Sequence, residues 1–502
     1  MAEHERDRGG AMTKHVLVLR PEDDVAVALR DLVAGERIGS LTVAGPVPRG
    51  HKLALRPVPA GTWLRKYGQP IGTASRPIVP GEHVHTHNLE FAEHGGTAAA
   101  PAPATPAEPT LSGTFDGYRR PGGRAGTRNY LGILTSVNCS ATVAKLVAQR
   151  FDQEAREAGT DGVLALTHGT GCGLADDGEG LAILRRTLEG YARHPNFAGL
   201  VMIGLGCEVN QISALDLPIP TLTIQESGGT AATVAAATAA LRELLPEAAR
   251  SRRTPVPLAE LVLGLQCGGS DGYSGLSANP ALGVAADLLV AHGGTAVLGE
   301  TPEIYGAEHL LAARAASPEV AARLLARIDW WRGYVARHGG SLDHNPSPGN
   351  RAGGITTILE KSLGAVTKGG SSPLTAVYEY GEAVTERGLV FMDTPGYDPV
   401  SATGMVAGGA QLICFTTGRG SVYGCRPVPS VKVATNTELF RRLGDDMDLD
   451  CGTVADGLED VERAGRRLFG LLVETASGRR TRSEELGFGA EEFVPWQLGA
   501  VM

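Results

Sequence analysis

The stretch "NYLGILTSVNCSATVAKLVAQRFDQEA" (Asn129–Ala155) joins an apolar run to an amphipathic one. "NYLGILTSV" has the length and apolar density of a buried strand, and "ATVAKLVAQRFDQEA" carries the spacing of a helix. The unit recurs. "GVLALTHG", "AGLVMIGLG", "PTLTIQ", "AELVLGLQ" and "GTAVLGE" are further strand candidates, with helical stretches such as "TAATVAAATAALREL" between most of them. Alternating strands and helices build a mainly parallel, doubly wound sheet, so this part of the chain is expected to be Rossmann-like α/β.

Upstream the pattern changes. "HGGTAAAPAPATPAEPTLSG" (His94–Gly113) is mostly alanine, proline and small polar residues, which cannot build a core. It reads as a semi-extended linker, able at about 3 Å per residue to span roughly 50–60 Å and to dock the preceding module on a partner subunit. That module opens with a strand, "KHVLVLR", and an expected short helix, "DDVAVALRDL". Short β-type runs with turn signals every 8–12 residues follow, the mark of a small all-β unit. Within it "PRGHKLAL" and "VPGEHVHT" echo each other weakly. The expected organisation is a β module at 14–92, the linker at 93–113, a central α/β domain at 114–317 and a C-terminal α/β domain at 318–502, the last opening at Pro318.

The bulk numbers bound the function. A chain of 502 residues with 42% hydrophobic content divides into several ordinary cores. The net charge of −9 argues against a nucleic-acid binder, whose footprint is basic. No run of about 18 apolar residues spans a membrane, and "MAEHERDRGGAMTKH" lacks the apolar segment of a secretory signal. A cytoplasmic protein is expected, its seven cysteines thiols or metal ligands rather than disulfides.

Four of those cysteines follow strand candidates: Cys139, Cys172, Cys207 and Cys267. Ligands bind outside the carboxyl ends of parallel strands, so the four thiols are expected to converge on one crevice. They would serve there as iron ligands, as holders of an Fe–S cluster or as a reactive thiol; the plainer alternative is small core filling. Acid–base candidates occupy similar places: His168, Glu208, Asp271, Glu300, Glu303, Lys361, Lys368, Asp393 and Asp398. Arg119, Arg120, Arg124 and Arg128 precede a strand, and Arg419 and Arg426 sit in "TTGRGSVYGCRP"; guanidinium forks suit carboxylates. In "PGEHVHTHNLEF" (Pro80–Phe91) three histidines alternate, and on a strand His83, His85 and His87 would share a face.

These motifs together resemble the sugar-acid dehydratases typified by altronate and galactarate dehydratase. The resemblance rests on "GYRRPGGRAGTRNYLGILTSVNCSATVAK", "HGTGCG", "LGCEVNQ", "LQCGGSDGYSGLSANPALG", "GETPEIYGAEHLL" and "NPSPGNRAGGITTILEKSLGAVTKGG". It continues through "FMDTPGYDPVSATGMVAGGAQLICFTTGRGSVYGCRPVPSVKVATN" and "DMDLDCGTVADG". The β module resembles the SAF (β-clip) domain fused to this family. The resemblance implies a multidomain α/β hydro-lyase that removes water from a sugar acid to give a 2-keto-3-deoxy acid. Altronate is expected first and galactarate next, with dependence on Fe²⁺, Mn²⁺ sometimes substituting, and an Fe–S cluster left open. The related sulfolactate sulfo-lyases, which divide similar parts between two chains, offer an alternative C–S lyase reading. A non-catalytic sugar-acid-binding protein is the third.

Dehydration of this kind needs a base for the proton alpha to the carboxylate, an acid for the departing 3-hydroxyl, and positive charge for the enediolate between them. The expected catalytic set is His85, His168, Asp271, Glu300, Glu303 and Lys368. Arg128, Asn138, Ser270, Arg419 and Arg426 are expected to bind substrate. His83, His85, His87, Cys139, Cys172, Cys207 and Cys267 are expected to meet a metal. The expected partners are a small sugar acid and a second copy of the chain in a homodimer.

Overall fold

The computed structural model describes residues 15–93 and 111–502. The expected linker falls almost wholly outside the described residues.

The N-terminal module is all-β. Val16–Leu17, Val25–Ala28, Lys52–Ala54 and His83–Val84 form an antiparallel four-stranded sheet in that order, beside a three-stranded sheet of Trp63–Lys66, Gln69–Ala74 and Leu89–Glu90. The helix expected over "DDVAVALRDL" is instead the strand Val25–Ala28. Its side chains are at most 1% exposed, so both faces are covered. A continuous apolar run buried on both faces carries no helical stripe to favour the other conformation. The three histidines do not share a strand face either. The strand stops at Val84, and backbone bonds from Asn88 and Leu89 to the His85 carbonyl turn the chain.

After Leu111 the chain builds two parallel sheets. The smaller has the order Val163–Leu166, Tyr130–Thr135, Phe197–Gly204, Thr221–Thr223. One face packs on helices Ala141–Glu157 and Thr230–Arg250 through Leu131, Ile133, Phe151, Val201 and Leu241. The other face joins helix Glu179–Ala192 and a core that continues through Met392, Met405 and Phe415 of the larger unit. The two α/β units therefore share apolar packing.

The larger sheet has seven parallel strands, in the order Leu374–Tyr378, Gly388–Met392, Thr295–Leu298, Val262–Cys267, Leu412–Thr417, Ser430–Ala434, Leu449–Asp450. The boundary expected at Pro318 falls inside this sheet. Val262–Cys267 and Thr295–Leu298 pair with strands far down the chain, so the two units divide near Arg253–Pro257, a short strand outside both parallel sheets. Strand order reverses between Val262–Cys267 and Leu412–Thr417, which opens a crevice at their carboxyl ends. Among the described residues no helix is long and apolar enough to cross a membrane.

Candidate active site

Val262–Cys267 and Thr295–Leu298 are parallel neighbours with Leu265 opposite Leu298, so Gln266 and Cys267 at the end of one strand and Glu300 just past the other come together beside that crevice. Glu300 holds a left-handed backbone, φ 64° and ψ 61°. A non-glycine residue there stores about 1–3 kcal/mol of strain, which surrounding structure must hold. The hold is visible: the Glu300 N–H donates to Thr394 Oγ1 at 2.7 Å, and the turn Thr301–Ile304 opens with Pro302.

The side chains form one buried cluster. Gln266 Nε2 donates to Glu300 Oε1 at 2.6 Å, and Lys368 Nζ donates to Glu300 Oε2 at 2.7 Å. Lys368 Nζ also reaches Cys267 Sγ at 3.0 Å. Cys267 Sγ lies 3.6 Å from Glu303 Oε2. Lys361 Nζ donates to Glu303 Oε1 at 2.8 Å and to Asn345 Oδ1 at 2.7 Å. Asp398 completes the group, at the start of helix Asp398–Ala407 and within reach of the Gln266 side chain.

Three carboxyl groups, Glu300, Glu303 and Asp398, thus face two ammonium groups, Lys361 and Lys368. Like charges packed this closely disfavour full ionisation, which pushes the Glu300 and Asp398 carboxyls toward their protonated forms. The shifts agree. Burial, then Glu303, raises Glu300 to about 8 and Asp398 to about 7. Burial works to discharge Lys368, but the acidic groups packed around it outweigh that and hold the proton. Burial pushes the Cys267 thiol up to about 12 against the pull of Lys368, so the thiol stays protonated.

Among the described residues, the one group of three or more His, Cys, Asp and Glu side chains whose ligand atoms all lie within 4.8 Å of one another is Cys267, Glu300 and Glu303. It does not fit the expected iron. Two of its donors already meet buried ammonium groups, its thiol keeps a proton, and a dication would enter against Lys361 and Lys368.

The histidines gather elsewhere, with a fourth member, His51. His51 Nδ1 and His83 Nε2 lie 3.0 Å apart, and His51 and His83 each stack or tilt against His85 with ring centroids 5.0–5.5 Å apart. Burial lowers His83 to about 3 and His85 to about 4, so both are neutral. Their nitrogens do not converge. His85 Nε2 meets the Arg351 carbonyl at 2.9 Å and His51 Nε2 the Ala352 carbonyl at 3.2 Å. The cluster braces helix Pro348–Ala352, whose Asn350 Nδ2 donates to the Ser270 carbonyl just beyond Cys267.

The other expected residues lie outside this cluster. Both ring nitrogens of His168 meet backbone, the Thr135 carbonyl at 2.9 Å and the Thr170 N–H at 3.3 Å. Arg128 is paired with Glu484 and with the Thr475 and Arg479 carbonyls. Asp271 accepts from Ser274, Thr435 and Asn436. Asp393 accepts from Trp331 Nε1 at 2.7 Å. Arg426 is half-buried beside Gly487 and Gly489, away from the cluster. Arg419 is exposed, and its side chain borders Gly269 and Gly353 at the mouth of the crevice. The four strand-end thiols do not converge: Cys139, Cys172 and Cys207 lie exposed at the small sheet, and Cys267 is buried at the large one. Sequence reasoning missed Gln266, Asn345 and His51. Only His51 left a signal, in the echo between "PRGHKLAL" and "VPGEHVHT".

Comparison with known proteins agrees with this division. Residues 14–92 match the altronate/galactarate dehydratase SAF domain. Residues 117–249 match the D-galactarate dehydratase/altronate hydrolase second domain, and 258–501 the D-galactarate/altronate dehydratase C-terminal domain. The chain is 39% identical to altronate dehydratase of Bacillus subtilis, over 95% of this chain and 97% of the relative. It is 37% identical to galactarate dehydratase (L-threo-forming) of Escherichia coli, over 95% of each. It is 36% identical to the (2R)-sulfolactate sulfo-lyase subunit beta of Chromohalobacter salexigens, over 77% of this chain and 97% of the relative. With its three domains matched in order and relatives of this identity along nearly its whole length, the chain belongs to the altronate/galactarate dehydratase family of hydro-lyases.

Proposed function

We propose that the chain dehydrates a sugar acid, altronate first and galactarate next, to a 2-keto-3-deoxy acid. The observation that supports this most is the packing of the Glu300, Glu303 and Asp398 carboxyls against two ammonium groups at strand carboxyl ends. Asp398, raised to about 7, is ionised in a useful fraction near neutral pH and takes the proton alpha to the carboxylate. Glu300, raised to about 8, keeps its proton and gives it to the departing 3-hydroxyl, which leaves as water. The enol so formed tautomerises to the ketone. Lys361 and Lys368 supply fixed positive charge for the enediolate, and Arg419 at the mouth meets a substrate carboxylate.

The sulfo-lyase reading is weaker. The matching sulfo-lyase relatives are separate subunits named alpha and beta, whereas this chain carries the SAF module and the α/β units together. A binding module has no use for buried carboxyls that exchange a proton. Purified protein offered altronate, galactarate and sulfolactate separates these readings. A 2-keto acid from altronate or galactarate is expected; sulfite from sulfolactate, or binding without turnover, would replace this reading.

A further inference from the structure

Three thiols take no part in the carboxyl–ammonium cluster. Cys139, Cys172 and Cys207 follow Tyr130–Thr135, Val163–Leu166 and Phe197–Gly204, and the Cys139 strand lies between the other two. All three are exposed, although unpaired cysteine is among the most buried of residues.

Their loops are laced together. The Asn138 N–H donates to the Thr170 carbonyl at 2.9 Å and Asn138 Nδ2 to the His168 carbonyl at 3.2 Å, which ties the Cys139 loop to the Cys172 loop. Asn210, fully buried, ties the third: its N–H donates to the Gly171 carbonyl and its Nδ2 to the Ser136 carbonyl, each at 3.0 Å. Glu208 accepts from Ser136 Oγ and, at 2.7 Å, from the Gly206 N–H. A Cβ on Gly171 (φ 103°) would fall 2.3 Å from the Ser136 carbonyl oxygen, so loop presses on loop where only glycine fits. Cys139 lies in the short turn Asn138–Ser140 that leads into helix Ala141–Glu157.

The three sulfurs do not lie within 4.8 Å of one another as a set. Bonds of about 2.3 Å to one tetrahedral ion would bring them to about 3.8 Å. A polynuclear cluster holds its thiolates farther apart. The remaining four cysteines are all buried, none offered to this surface. We propose that Cys139, Cys172 and Cys207 hold an iron–sulfur cluster by three thiolates, leaving one iron without a cysteine ligand and free to take a small oxygen-bearing ligand. The site is separate from the Lys361 and Lys368 cluster, and the proposal is independent of which acid the chain dehydrates.

The test is anaerobic reconstitution of the full chain with ferrous and ferric iron and sulfide, followed by metal and sulfide analysis. The expected result is about four iron and four sulfide per chain, visible sulfur-to-iron absorption, and protection of three thiols from alkylation. Cys139→Ser, Cys172→Ser and Cys207→Ser each cut bound iron and sulfide at least roughly fourfold with unchanged circular dichroism, and Cys451→Ser leaves both at the wild-type level. A wild-type chain that binds a single iron without sulfide, or binds none with its three thiols open to alkylation, overturns the proposal. So does a triple serine variant that still loads fully.

Discussion

Glu360 and Lys361 are consecutive on helix Ile358–Ala365 and belong to two different buried networks. Glu360 accepts from Lys52 Nζ and Lys66 Nζ of the β module, each at 2.8 Å, whereas Lys361 Nζ donates to Glu303 at 2.8 Å in the active-site cluster. One helix thus seats the SAF domain with one side chain and supplies active-site charge with the next.

Glu360→Gln tests the seat. Lys52 and Lys66 are at most 1% exposed, and the substitution leaves both ammonium groups without a counter-charge. Breaking a buried ion pair from one side costs about 3–5 kcal/mol. Urea unfolding is expected to show a loss of that order, with earlier proteolysis of the β module. Unchanged unfolding would mean that the pair carries no docking energy.

Asp398 and Glu300 set the pH dependence of catalysis. The base must be ionised, so kcat/KM is expected to rise with pH through about 7. The acid must keep its proton, so it is expected to fall above about 8. The two limbs belong to the coupled pair, and Asp398→Asn should abolish the acid limb together with most of the rate. A flat profile across pH 6–9 contradicts the assignment.

His194 links folding to pH. It is buried between the Ala410 carbonyl, 2.9 Å from Nε2, and the Asn196 N–H, 3.2 Å from Nδ1, and burial lowers it to about 4. Unfolded histidine titrates near 6.5, so between about 6.5 and 4 the unfolded chain binds the extra proton. Stability is therefore full above that window and falls as pH drops through it, by about 2 kcal/mol between pH 6.5 and 5 from this residue. Urea midpoints at pH 7 and pH 5 measure the loss, and His194→Asn should shrink the difference. An equal difference in the variant would assign the acid sensitivity to other groups.

Arg419 is expected to act on substrate binding. A charge-assisted bond contributes about 1.5–3 kcal/mol, so Arg419→Gln should raise KM for a sugar acid roughly tenfold or more with kcat little changed. A loss of kcat at constant KM would move Arg419 from the mouth into the chemistry.

Much of this was legible in the chain because strand ends mark ligand sites. Cys267, Glu300 and Lys368 could be named before any fold was drawn. The partition of the thiols could not. Whether Cys267 shares a crevice with Cys139 depends on which sheet its strand joins, and that is decided by pairing with Leu412–Thr417, far down the chain. The same pairing moves the domain boundary from Pro318 back toward Arg253–Pro257. Val25–Ala28 became a strand because both its faces are buried, a tertiary fact that local propensity does not carry. Gln266 was invisible because a glutamine inside an apolar strand has no periodicity of its own. Its role appears only once Glu300 stands beside it.

The most direct test of the account is turnover of altronate by the wild-type chain, Glu300→Gln and Asp398→Asn under one assay, with circular dichroism to verify folding. The account predicts 2-keto acid from the wild type and losses of about 10²–10⁴ in kcat for each variant, as expected for removal of a positioned acid or base. Two folded variants that dehydrate altronate at the wild-type rate would contradict it.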